Sequence, residues 1–237
     1  MAAKLRPRRE HVTALLEDQK FGEPRWLPAA AVLTAAALYV TMPSRFIGSS
    51  SVYLAAVRIG IPILALALMA PLALTAPKRR LVYSVKRRTA AIAILAVISA
   101  ANAVSIVLLV HLILTGTNID GRQLVRAAIH IWCVNVLVFA LWYWQLDRGG
   151  PMARRDAENK VVPDFLFPQY TAPEFAPPSW QPNFVDYLYV SFTNSTAFSP
   201  TDTMTLTRWT KILVIMQSAS SLLLLVMVAA RAVNILG

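Results

Sequence analysis

The chain has 237 residues, of which 57% are apolar and only 15% charged, and its mean hydropathy is +0.53. Those values exclude an ordinary soluble domain and place it among polytopic membrane proteins. The formal net charge of +11 suits a nucleic-acid binder, but the basic residues gather in short segments beside apolar runs, which points to membrane lipid as the partner and not to nucleic acid.

The single Cys133 lies in an apolar run, so no disulfide framework or zinc site can be built from cysteines. HExxH, CxxC, GxSxG and Gly-rich phosphate loops are absent, and no carboxylate pair falls inside an apolar run. The reading is therefore of a protein that is not an enzyme and uses neither cofactor nor metal.

Residues 1–26 form a basic amphiphilic leader, with Lys4, Arg6, Arg8 and Arg9 ahead of Leu15, Leu16, Glu17 and Asp18. They suit a short interfacial helix or a solvated tail that only sets orientation, and they are too polar for a cleavable signal. Residues 27–146 are expected to hold four spans. The first, 27–42, is short and bracketed by Trp26 and Pro43. The second, 52–76, carries Arg58 near one end, where it can snorkel, and Pro62 and Pro71 inside. Then come Lys78-Arg79-Arg80 and Lys86-Arg87-Arg88, six cations within eleven residues and no acid, which assigns that loop to the cytoplasm.

The third span, 90–114, contains Asn102, Ser105 and His111. After a short loop the fourth, 124–146, ends in Trp142-Tyr143-Trp144, which reads as an interfacial aromatic belt. Arg126 and His130 share a helix face and suit lipid headgroups or a partner helix, while Asn135, in mid-span, reads as an interhelical hydrogen bond.

Residues 147–182 hold seven of the fifteen prolines and form an extended, water-facing connector. Phe165-Leu166-Phe167, Phe175 and Trp180 are too regularly placed for a free linker and are expected to pack over neighbouring loops or a neighbouring subunit. The last region, 183–237, opens on a helix cap: Pro182, Asn183 and, three residues on, Asp186. A helix from Phe184 to about Thr196 would be roughly 20 Å long, too short for a hydrocarbon core of about 30 Å. The polar hinge Ser199-Pro200-Thr201-Asp202 follows, then an apolar run over 212–236 that is long enough to cross.

From Ser191, the run S-F-T-N-S-T-A-F-S-P-T-D resembles the potassium-channel pore signature S-x-x-T-x-T-T-V-G-Y-G-D without a gap. Ser191, Thr196 and Asp202 fall on its serine, its first filter-side threonine and its terminal aspartate. Thr207 and Lys211 fall where such channels often carry a threonine and a base before the inner helix. This resemblance to the pore-loop superfamily implies an all-α transmembrane fold of five membrane-spanning helices plus a re-entrant pore helix before the last span. It also implies a homotetramer and a filter-like segment made of Thr196, Ala197, Phe198, Ser199, Pro200, Thr201 and Asp202. Both filter glycines are replaced, and Pro200 fixes φ and lacks an N–H, so monovalent cations are expected to pass weakly or non-selectively. Two alternatives stand beside this: a non-conducting membrane scaffold or accessory subunit that kept the fold, and an anion pore if Asp202 is spent capping the last helix.

On the last span Gln217, Ser221, Leu224, Val228 and Arg231 share one helical face, polar near the loop and apolar beyond, as an inner helix with a hydrophobic gate would be. Small residues at Ser218 to Ser221 serve close helix packing equally well. By the positive-inside rule the protein sits in a bacterial inner membrane with its N-terminus cytoplasmic and Gly237 outside. The connector then shares the cytoplasmic side, so the loop is inverted relative to ordinary potassium channels, and ionotropic glutamate receptors resemble that arrangement.

Overall fold

The computed structural model describes residues 26–42, 59–60, 62–63, 85–115, 121–151, 153–155, 161–177, 180–197 and 202–236. The described residues are mostly helical: α1 Trp26–Thr41, α2 Val85–Leu114, α3 Gly121–Leu146, a one-turn α4 Pro168–Thr171, α5 Phe184–Ala197 and α6 Arg208–Leu236. Two short strands, β1 Phe165–Leu166 and β2 Met204–Thr205, pair antiparallel, with Phe165 opposite Thr205 and Leu166 opposite Met204.

Among the described residues, three helices are long and apolar enough to cross a membrane, and they correspond to α2, α3 and α6. The first expected span is α1, apolar but only 16 residues long, a rise of about 24 Å. The second, 52–76, lies almost wholly outside the described residues, as does the leader. The α2 helix starts at Val85, ahead of the expected position 90, so the second basic triplet belongs to its first turn. Likewise α6 starts at Arg208, four residues before the unbroken apolar run. Apolar length locates a span, whereas a helix extends to wherever its last free backbone groups find partners.

The hub of the bundle is α3. It touches α1, α2, α5 and α6, and its Leu124, Ala127, Ala128, Ile131, Val134, Val138 and Ala140 are all buried. Alanines at 127, 128 and 140 let neighbouring backbones come close, where dispersion and hydrogen bonds act without help from a hydrophobic effect. Surrounded in this way, α3 has no interfacial face at Tyr143, which is fully buried. The expected aromatic belt is corrected accordingly. Tyr143 points inward, Trp142 donates its indole N–H to Ser99 Oγ at 2.8 Å, and the Trp144 ring meets the Phe184 ring edge-on.

Past α3 the chain turns through Arg148, Gly149 and Gly150, all at positive φ. A Cβ on Gly150 would stand 3.0 Å from the Gln145 carbonyl oxygen, so this turn requires glycine there. The connector then folds back over the end of α3. Phe165 and Phe167 are buried among Tyr143, Tyr187 and Trp180. That matches the expected packing except at Phe175, which is 87% exposed.

Candidate functional site

The expected cap of α5 is present as a reciprocal pair. The Val185 N–H donates to Asn183 Oδ1 at 2.8 Å, and the Asn183 N–H donates to Asp186 Oδ2 at 2.7 Å, satisfying free donors at the helix start. Burial raises the Asp186 carboxyl above the ordinary aspartate range, against the pull of its bond from the Asn183 N–H.

From this cap α5 runs antiparallel along α3. Phe184 lies beside Trp144, the Ser191 hydroxyl donates to the Val136 carbonyl at 2.6 Å, and Phe192 meets Trp132 edge-on. One face of α5 is thus seated on α3 with Phe192 at its margin, while Val185 and Tyr189 look outward and are about half exposed.

On α6, the residue that grips α5 is Gln217. Its Nε2 lies 2.8 Å from the Ser191 carbonyl, 2.6 Å from Ser191 Oγ and 2.8 Å from Ser195 Oγ, and its Oε1 accepts the Tyr143 hydroxyl at 2.5 Å. One amide therefore ties three helices together and sets both the depth and the roll of α5. Further along, Asn135 makes a second neutral junction. Its Oδ1 accepts from Asn102 Nδ2 at 3.1 Å, and its Nδ2 reaches Ser220 Oγ at 3.0 Å and Ser221 Oγ at 3.2 Å. The expected interhelical role of Asn135 is therefore observed, joining α2, α3 and α6.

At the outer edge the polar groups change kind. Asp147, just beyond α3 and buried, accepts the Tyr187 hydroxyl at 2.5 Å and the Asp164 N–H at 2.8 Å. The Asp164 carboxylate accepts the Thr207 hydroxyl at 2.6 Å and the Arg148 N–H at 3.2 Å, and its carbonyl accepts the Leu206 N–H at 2.9 Å. The buried Arg154 donates to the Trp144 carbonyl at 2.8 Å and lies over the Tyr187 ring at 4.9 Å. This charged latch joins the end of α3, the connector, the start of α5 and the start of α6.

The expected site residues divide. Thr196 and Ala197 end α5 and are exposed, and Asp202 is exposed where the described chain resumes. Phe198, Ser199, Pro200 and Thr201 lie outside the described residues. Asp202 is not the cap of α6, because the helix begins at Arg208. Thr207 fills the cap position, its hydroxyl receiving the Thr210 N–H at 3.5 Å. On α6, Gln217, Ser221 and Leu224 are buried against the chain's own helices and Val228 is partly buried on the same core. The face expected to line a pore is the face that binds α6 to α3 and α5. The physical reason is that hydroxyls, amides and small side chains serve helix packing in an apolar medium as readily as they serve water.

Sequence reasoning missed Tyr143, Asp147, Asp164, Arg154 and Tyr187. A signal existed for the acids: Asp147 follows an apolar run directly, and Asp164 directly precedes Phe165-Leu166-Phe167, the cluster expected to pack. Nothing local marks Tyr143 as internal. No group of three or more metal-binding side chains occurs among the described residues. No family model, no curated protein and no solved structure matches this chain.

Proposed function

We propose that the chain is a membrane-embedded subunit of an ion-conducting pore of the pore-loop type, assembled as a homotetramer and passing monovalent cations with weak or no selectivity. One observation carries this reading. The α5 helix starts at the connector edge beside Trp144, runs inward to the level of Trp132, and the chain is back at the connector edge by Met204–Thr205, paired to β1. Its 14 residues rise about 21 Å, less than the roughly 30 Å of a hydrocarbon core. Six residues intervene before β2, and at about 3.3 Å each they can reach back that far. A short helix that goes in and a segment that comes out on the same side is the plan of a re-entrant pore loop.

In this reading the exposed Thr196 and Ala197 bring the filter-like segment toward the assembly axis, and a ring of Asp202 carboxylates raises the local cation concentration at its mouth. The lining contributed by α6 falls to exposed apolar residues such as Met216, Leu223 and Val226, which suits a gate that closes by excluding water. The basic first turn of α2 supports a cytoplasmic connector edge and hence an inverted loop.

A second reading, a non-conducting accessory subunit, draws on the burial of Gln217, Ser221 and Leu224, which ties α5 into its own chain and removes the polar lining stripe. Reconstitution separates the two. Subunit count in lipid nanodiscs is measured beside flux in liposomes carrying potassium, sodium or chloride gradients. A fourfold ring with cation flux that falls several-fold in Asp202→Asn is the expected result. A monomer or dimer with no flux in any gradient overturns the channel and leaves the accessory subunit.

A further inference from the structure

Two asparagines in the bundle interior differ in one respect. Asn135 has its amide oxygen and nitrogen both bonded to protein partners. Asn194, on α5, is equally buried at 0% exposure, and neither Oδ1 nor Nδ2 meets hydrogen-bond geometry with any described group. Its surroundings are nevertheless polar. The Tyr143 hydroxyl lies close to its amide as a weak partner short of good hydrogen-bond geometry, and it has already given its hydrogen to Gln217, which leaves an oxygen lone pair toward the site. The Ser218 hydroxyl approaches the Asn194 backbone carbonyl at 3.5 Å. A buried amide with neither half in a well-formed hydrogen bond is costly, because desolvation is suffered twice with little return.

We propose that Asn194 is the anchor of an internal water site near the end of α5, closed by the Tyr143 hydroxyl. The chemistry of the side chain selects the ligand. An amide presents a donor and an acceptor together, so its ligand must both accept and donate. A cation satisfies Oδ1 and faces the hydrogens of Nδ2, and no carboxylate stands at the site to hold it. An anion meets the opposite conflict at Oδ1. Water satisfies both halves, and with Tyr143 Oη it has the two to four polar partners that internal waters use. Asn194 lies one turn before the exposed end of α5 at Ala197. The site does not depend on conduction: a water here stabilises the α5–α6 seam in either functional reading.

Water-edited solid-state NMR on the full chain in nanodiscs tests this directly. Magnetisation starting on water is followed into the side-chain amides, and Asn194→Leu and Asn135→Leu assign the two signals by difference. The Asn194 amide is expected to receive water magnetisation several-fold faster than the Asn135 amide, which serves as the protein-bonded internal standard. Equal, slow transfer to both overturns the water site, and so does an Asn194 amide that contacts only protein protons, which would mean that another segment of the chain fills its hydrogen bonds. If Asn194→Leu fails to fold, the smaller changes Asn194→Ser and Asn194→Ala remove the same amide signal and supply the assignment. Loss of flux, with this transfer retained, would sink the channel reading and leave the water site standing.

Discussion

The polar groups at the two ends of α5 solve the same problem with different chemistry. At its start, Asp147, Asp164 and Arg154 form the latch; Asp147 and Arg154 are buried, Asp164 partly so, and all three sit beside the connector. Toward its end, Tyr143, Gln217, Ser191 and Ser195 are joined entirely by neutral hydroxyls and amides. A charge at the depth of Gln217 would be expensive in hydrocarbon, whereas one at the edge can be solvated or paired. The interior network also spreads its bonds over three helices, while the latch concentrates them on two carboxylates. Edge chemistry sets the frame, and interior chemistry sets the orientation of the short helix.

The largest effect should come from the latch. Asp147→Ala removes two bonds to a carboxylate, each worth about 1.5–3 kcal/mol. A loss of about 3–5 kcal/mol in folding stability is expected, read by thermal unfolding in nanodiscs. A loss under about 1 kcal/mol would show that the charged end carries no more weight than a surface ion pair. Next, Gln217→Leu removes the amide that bonds α5 to α6 and leaves the Tyr143 and Ser195 hydroxyls to find other partners, while Ser191 keeps its bond to the Val136 carbonyl. Bonds of this kind within membranes average about 0.6 kcal/mol and reach about 1.7, so roughly 2 kcal/mol is expected. Increased protease or hydrogen-exchange access in α5 should accompany it, and unchanged exchange would contradict its role in seating that helix. Asn135→Leu should cost about 1 kcal/mol on the same scale, with α5 exchange unaffected because the Asn135 side chain bonds α2 and α6.

A finer contrast lies at the cap. The folded state holds the Asp186 proton more tightly than the unfolded chain does, because burial raises its carboxyl pKa. Stability should therefore decline as pH rises from below the ordinary aspartate value through the raised folded one. Asp186→Asn should flatten that part of the stability–pH curve, and an unaltered slope would remove Asp186 as its source. The smallest effect on stability belongs to exposed Asp202: Asp202→Asn should stay within about 0.5 kcal/mol. Its consequence for flux is the separate test of conduction.

Much of the local architecture was legible in the chain itself. The long apolar runs at α2, α3 and α6, the Asn183–Asp186 cap and the aromatic cluster at Phe165 and Phe167 all depend on neighbours a few residues apart. Such signals survive in sequence because helix length, capping and turn chemistry are short-range. What only the tertiary structure decided is which way the polar stripes face. Gln217, Ser221 and Leu224 keep helical spacing whether they line water or seat a neighbouring helix, and burial assigns them to the neighbours. Tyr143 ends an apolar run as a belt residue would, yet α3 is enclosed and turns it inward. Thr207, and not Asp202, caps α6 because the helix begins six residues after the position that the apolar pattern could see only as polar hinge. Periodicity defines a face, and only the packing of other elements against that face defines its role.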